Sequence, residues 1–175
     1  MKTGRKSREK KQKGGINVFG LNDLPKFVWS FCLVLPLVSF IHQLGHSVMA
    51  IIFGGKVDFT IGRGKTILKM GKFKIKSVYF LDSFCKYENL KNDSRISHAV
   101  VYAGGVLFNL LTIFIMNGLI MANILPEDIF CYQFVYFSVY YVIFSLLPIQ
   151  YTETSASDGR AIYNVLRYGK TCDPD

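Results

Sequence analysis

FVWSFCLVLPLVSFIHQLGHSVMAIIF, residues 27–53, contains no Asp, Glu, Lys or Arg. A span of the hydrocarbon core needs roughly 20 apolar residues at the rise of an α-helix. A soluble helix of this length would carry charge along one face. Two further stretches are equally free of charge, Ile96–Leu125 and Ile129–Thr152. The three read as membrane spans, and the fold class expected is an α-helical polytopic membrane protein with three core transmembrane helices. The first run is not a signal peptide: it is too long, no small-residue cleavage site follows it, and 26 residues precede it. Pro36 should kink the first helix, because proline cannot supply the backbone N–H a helix needs.

The composition agrees. The 175 residues allow one domain. Half are hydrophobic and the mean hydropathy is +0.26, which excludes disorder and an ordinary soluble domain. The net charge of +9 is concentrated outside the spans. Residues 1–26 hold Lys2, Arg5, Lys6, Arg8, Lys10, Lys11 and Lys13, and read as a flexible segment resting on acidic lipid headgroups. No aromatic or recognition-helix pattern accompanies these charges, so no nucleic-acid partner is expected. Cys32, Cys85, Cys131 and Cys172 form no CxxC pair. They read as small buried hydrophobes rather than disulfides or metal ligands.

The segment between the first two spans has a different period. Val57, Phe59 and Ile61 alternate with polar residues, Gly62 and Gly64 interrupt, Thr66–Met70 follows, and Gly71-Lys72 precedes a second alternation through Phe73, Ile75, Ser77 and Tyr79. Period-2 patterning broken by glycine is a hairpin signal. A small membrane-associated β-hairpin or sheet over about 57–81 is expected, the alternative being a basic loop without regular structure. Its Ile67, Leu68 and Lys69 are the candidate open edge, able to receive an extended peptide by strand addition. A tight acidic connector, 124–128, joins the second and third spans, and residues 171–175 form a tail. With three spans, 8 Lys/Arg fall on the amino-terminal side and 13 on the side of the hairpin and tail. The positive-inside rule then leans toward a cytoplasmic hairpin, against the pull of the basic amino terminus.

The chemistry lies in the spans. His42-Gln43-Leu44-Gly45-His46 puts two imidazoles four residues apart, on one helical face. At 11 residues from the end of the uncharged run, His42 would lie about 17 Å from the membrane edge. Polar groups at that depth are costly, which makes function the default reading; two interhelical hydrogen bonds are the bland one. A catalytic zinc takes three protein ligands and keeps a position open. His98, at the mouth of the second span, and Asp158, after the third, are the candidates for the third ligand. Asp158 is the better; its bland alternative is the N-cap of a short helix through Tyr168. In the second span, Ala103-Gly104-Gly105 permits close helix approach. Asn109 is either a donor to a developing oxyanion or an interhelical hydrogen bond.

Taken together, these residues resemble the site-2 protease family of intramembrane zinc metalloproteases. That family carries His-Glu-x-x-His in one span, an Ala-Gly-Pro-x-x-Asn type element in the next, and Asn-x-x-Pro followed by Asp-Gly in the third. The matching residues are His42 and His46, Ala103-Gly104-Gly105 with Asn109, and Leu146-Leu147-Pro148 with Asp158-Gly159. The stretch Ile61-Gly62-Arg63-Gly64 through Leu68 to Gly71-Lys72-Phe73 is also similar to the family's membrane-associated hairpin. The resemblance covers residues 27 to about 168. It implies one zinc ion per chain held by His42, His46 and Asp158, a protease core over 27–170, and cleavage in or near transmembrane or signal-peptide-like segments. For bacterial members it implies a site facing the cytoplasm.

Three departures stand out. Gly105 replaces a usual proline, Ser145 replaces the third-span asparagine, and Gln43 stands where the glutamate belongs. That glutamate passes a proton from water to the leaving amine. Glutamine matches its shape but cannot take the proton, so the chain should bind zinc and cleave poorly or not at all. Either Gln43 was introduced in place of a glutamate, the favoured reading because the rest of the site is present, or the chain is a natural pseudoprotease. A di-iron desaturase would need many more than 3 histidines. A small transporter or scaffold would leave His42, His46 and Asp158 far apart.

Overall fold

Apolar residues without charge favour helix wherever the backbone must satisfy its own hydrogen bonds, and a computed structural model of the chain, describing residues 20, 24–71, 73–151, 155–171 and 173–174, follows that rule. Three helices are long and apolar enough to cross a membrane: α1, Leu24–Ile52; α2, Arg95–Met121; and α3, Ile129–Leu146. Between α1 and α2 lie β1, Lys56–Met70, and β2, Phe73–Glu88. After α3 come β3, Ser155–Ala156, α4, Asp158–Tyr168, and β4, Asp173–Pro174. The basic amino-terminal segment expected over 1–26 lies almost wholly outside the described residues.

Each helix end has a local cause. The disturbance expected at Pro36 takes the form of a π-helical turn over Ser30–Val34, one residue wider than the α-ladder, just upstream of the missing N–H. Ser94 caps α2 by accepting from the Ser97 N–H at 3.1 Å. Asp128, in the acidic connector, caps α3 by accepting from the Cys131 N–H at 2.9 Å. α3 ends earlier than its uncharged run suggests, at Leu146 rather than Thr152. Pro148 pushes Leu147 out of helical geometry, to φ −62° and ψ 132°.

α1 and α2 meet backbone to backbone. A Cβ on Gly45 would run into the Gly104 carbonyl, and one on Gly104 into the Gly45 carbonyl. This is the small-residue contact that lets membrane helices approach closely. Ala50, Leu90 and Val101 pack at the hairpin end of this interface, and Tyr102, Ala161 and Val165 join α2 to α4. The outer faces stay apolar and exposed: Phe114, Met121, Tyr136 and Phe144 all face outward.

The hairpin is longer than expected and folds back on itself. Strand β2 continues to Glu88, past the predicted limit of 81. Phe59, Thr60 and Ile61 each have two cross-strand partners: Cys85, Phe84 and Ser83 on one side, Phe73, Lys74 and Ile75 on the other. Residues 59–61 are therefore central. The chain bends at Gly62 and Gly64, both at positive φ, and the segment from Thr66 to Met70 pairs with 73–76. Among the described residues nothing pairs with the far side of 66–70. The cysteines do not behave alike. Cys85 is buried, but Cys32 is exposed on the apolar surface of α1 and Cys131 is half-buried. An apolar surface accepts a thiol as readily as a core does, which is why composition alone misplaced two of them.

Candidate metal centre

His42 and His46 stand one turn apart on α1, with 3% and 0% of their surface exposed. Their Nε2 atoms are 3.1 Å apart. Asp158 opens α4 and is 4% exposed. Its Oδ2 lies 2.9 Å from His42 Nε2, and its Oδ1 lies 3.4 Å from His46 Nε2.

Asp158 is not the N-cap of α4. Ser157 takes that position. Its hydroxyl accepts from the Arg160 N–H at 3.3 Å and from the Ile149 N–H at 3.1 Å, and donates to the Leu147 carbonyl. Capping by Ser157 leaves the Asp158 carboxylate for the two imidazoles and ties the start of α4 to the end of α3.

The donor set fits zinc. Ligands about 2.0–2.1 Å from a tetrahedral zinc ion stand about 3.3 Å from one another, and the three separations here bracket that figure. Two imidazoles and a carboxylate are a zinc-type set with room for a fourth ligand. The ligand atoms of His42, His46 and Asp158 all lie within 4.8 Å of one another. His46 Nδ1 donates to the Val101 carbonyl at 2.8 Å, which fixes the tautomer that leaves Nε2 for a metal. A Cβ on Gly105 would come within 2.5 Å of His46 Nε2 and of His42 Cε1. Gly105 thus lets α2 lie directly against both rings.

Of the two candidates for a third ligand, Asp158 is the one that reaches both imidazoles. His98 is engaged elsewhere, accepting or donating at 2.9 Å to the Tyr87 hydroxyl and donating at 2.7 Å to Asp93. Among the described residues, His42, His46 and Asp158 are the one group of three placed to share an ion. The wide separation that a transporter or scaffold required of them is not observed.

With this geometry in view, the comparisons are specific. The profile of Peptidase family M50 matches residues 30–166. The chain belongs to this family, that of the site-2 proteases. It is 58% identical over 158 residues, 90% of this chain and 99% of the relative, to the "Uncharacterized membrane protein YwmF" of Bacillus subtilis (strain 168). It is also 32% identical over 124 residues to a protein of Borreliella burgdorferi named "Putative zinc metalloprotease". That match covers 55% of this chain and 28% of the relative. A membrane metalloprotease of the M50 kind is the class the chain falls into.

The remaining sequence candidates occupy two places. Gln43 is buried on α1, next to His42 in sequence, and Asn109 is fully buried on α2. The Asn109 amide nitrogen lies 3.3 Å from His42 Nδ1. Ile67, Leu68 and Lys69 lie on the outer segment of the hairpin, Ile67 with 71% of its surface exposed.

Sequence reasoning missed three contacts of this candidate centre. One is the Val101 carbonyl. Another is the Tyr141 ring, centred 5.3 Å from the His42 ring. The last is Ser145, noted only as a departure, whose hydroxyl is 3.4 Å from His42 Nε2. A signal for the α3 residues was available. Ser138, Tyr141 and Ser145 recur at i, i+3 and i+7, a polar stripe on one face of an apolar helix. Behind His46, the Ser47 hydroxyl donates to the Gln43 carbonyl at 2.9 Å. The Cys85 thiol is then the donor in its 3.0 Å contact with Ser47. Burial pushes that thiol up from its ordinary pKa. This pair pins β2 to α1 next to His46 in sequence.

Proposed function

We propose that the chain is an intramembrane zinc metalloprotease core of the site-2 type, with His42, His46 and Asp158 as its metal ligands. Its substrates are transmembrane or signal-peptide-like segments of membrane proteins or peptide precursors. The observation that carries this reading is the meeting of two imidazoles and one carboxylate, nearly sealed from solvent, among helices apolar enough to span a membrane. A buried carboxylate is retained only with compensating partners, and a cation between these groups is the partner their geometry suits.

Zinc at this site would supply a Lewis acid that activates water and polarises a scissile carbonyl. The chain's own groups do the rest. His42, His46 and Asp158 bind the ion, and the apolar faces of α1, α2 and α3 keep bulk water away. The outer hairpin segment at Ile67, Leu68 and Lys69 offers free backbone groups to an extended peptide. A substrate helix must unwind before its backbone is open to attack, and pairing with an edge strand holds it open. Gln43 occupies the position from which a glutamate would take a proton from water. A carboxamide cannot accept that proton, so the chain as it stands binds zinc and substrate and turns over slowly or not at all.

The domain reading follows: a protease core over 27–170, preceded by a basic segment that contacts acidic lipid. The hairpin and centre face the cytoplasm in this reading, in keeping with the Lys/Arg balance.

The test is Gln43→Glu in the full chain, reconstituted with a single-span substrate. General acid–base help is worth about 10²–10⁴-fold, so cleavage should rise by that order and vanish with a zinc chelator. Continued inactivity of a zinc-loaded Gln43→Glu chain on several substrates would favour a pseudoprotease that holds membrane segments without cutting them. Absence of zinc in the purified chain would sink the metalloprotease reading.

A further inference from the structure

We infer that Lys69 sets a charge preference at the hairpin edge: the extended segment that adds to 66–70 carries an acidic residue facing Lys69, between two apolar residues. The inference rests on the strand-addition reading above and deepens it by naming the chemistry of the segment received.

The register divides the outer hairpin into two unlike faces. Leu68 stands across from Ile75, Lys69 from Lys74, and Met70 from Phe73. Cross-strand partners share a face, and neighbours along a strand alternate between faces. Leu68, Met70, Phe73 and Ile75 therefore lie on one side. Phe59, a partner of Phe73, belongs to the same side. Its ring stacks on the Phe73 ring at 5.6 Å and meets Phe40 of α1 at 5.5 Å. That side is continuous with the apolar surface of the helices. Lys69, Lys74 and Lys76 lie on the other.

Lys69 and Lys74 put two ammonium groups on directly opposed residues. Side chains so placed have Cβ atoms about 4.5–5.5 Å apart, and like charges there oppose pairing. Lys76 adds a charge to the same side, one alternation further along the strand. Among the described residues none of these three lysines makes an ion pair. Asp58, an acid on this side, stands across from Lys86 on the far strand, where its charge is already matched. The sheet thus holds a repulsion at its open edge that a carboxylate from outside would relieve.

Lysine on an edge strand also guards against unwanted pairing, and here the guard is selective. A second copy would bring another basic edge and be repelled, whereas an acidic strand is admitted. A strand laid beside 66–70 continues both faces. Its central residue meets Lys69, and the residues on either side of the centre meet Leu68 and Met70, both exposed. The segment that fits reads apolar, acidic, apolar.

The experiment measures the binding of two fluorescein-labelled peptides, one with a Val-Glu-Val core and one with Val-Lys-Val, to the full chain in phosphatidylcholine nanodiscs. Opposite charge across a sheet favours pairing and like charge disfavours it, so the Glu peptide should bind about 2–10-fold tighter. Lys69→Glu should reverse the order. That variant sets a carboxylate opposite Lys74, a pairing the sheet accepts, so the fold is kept. Ile67→Pro should weaken both peptides alike, which separates backbone pairing from charge. Equal affinity of the parent for the two peptides, or an unchanged order in Lys69→Glu, would overturn the inference. Acidic headgroups are the rival occupant. Phosphatidylserine vesicles bound by the parent but not by Lys69→Glu, with the two peptides held alike, would give the basic face to lipid and overturn it too. Binding of neither peptide would bring down strand addition at this edge and the inference with it, whereas absence of zinc from the chain would strike the metal-centre reading and leave the peptide preference standing.

Discussion

The candidate metal centre and the hairpin are neighbours in sequence but opposite in how they are specified. His46 is completely buried and its ring is fixed by a carbonyl on another helix. Ile67 is 71% exposed, on a segment paired along one side alone among the described residues. The centre depends on backbone contacts with no spare room, such as Gly45 against Gly104. The hairpin depends on a register interrupted by shifts and glycines. A packed site answers a change of one methyl group with a shift of whole helices, whereas an open edge yields by degrees. Substitutions in the first should therefore act on metal binding as a threshold, and substitutions in the second should tune substrate handling.

The sharpest way to break the contrast is to remove a ligand. Asp158→Ala or His46→Ala should take zinc content from about one per chain to near none, read by elemental analysis of purified protein. Retention of zinc by either variant would mean the centre is not what holds the ion. Next comes Gly45→Ala, which touches no ligand. It should force α1 and α2 apart, costing about 1–3 kcal/mol in thermal stability and weakening zinc binding with it. An unchanged melting temperature would show that the helix contact is looser than described.

On the hairpin side the effects should be smaller and confined to turnover. Ile67→Pro in the Gln43→Glu form deletes one edge N–H. The loss of a hydrogen bond worth about 0.5–1.5 kcal/mol predicts a fall in cleavage of about 2–10-fold with zinc content unchanged. Cleavage at the parental rate would remove strand addition from the mechanism. Smallest of all, Lys69→Ala should change stability by no more than about 0.5 kcal/mol, measured by chemical denaturation in the same detergent.

Much of this was legible in the residues, for reasons that differ from site to site. The three apolar helices followed from the absence of charge, and the histidine pair followed from its spacing. Which of His98 and Asp158 comes to the histidine pair was open, because spacing says nothing about which distant segment returns to a helix. The cap at Ser157 was missed because aspartate and serine are equally good in that role; contact with two imidazoles is what sets them apart. The Val101 carbonyl could not be read at all, since every residue has one. The alternation between Val57 and Tyr79 gave strands but not the fold-back, which depends on where Gly62 and Gly64 let the chain turn.

Consider finally the knot at Ser157, whose one hydroxyl meets the Leu147 carbonyl and the amides of Ile149 and Arg160. It closes the chain on itself immediately ahead of the carboxylate. The contour length of what lies between is thereby uncoupled from the geometry around Asp158. Doubling such a loop costs only about 0.6 kcal/mol in closure entropy, so family members are free to lengthen or trim this stretch while the carboxylate keeps its address.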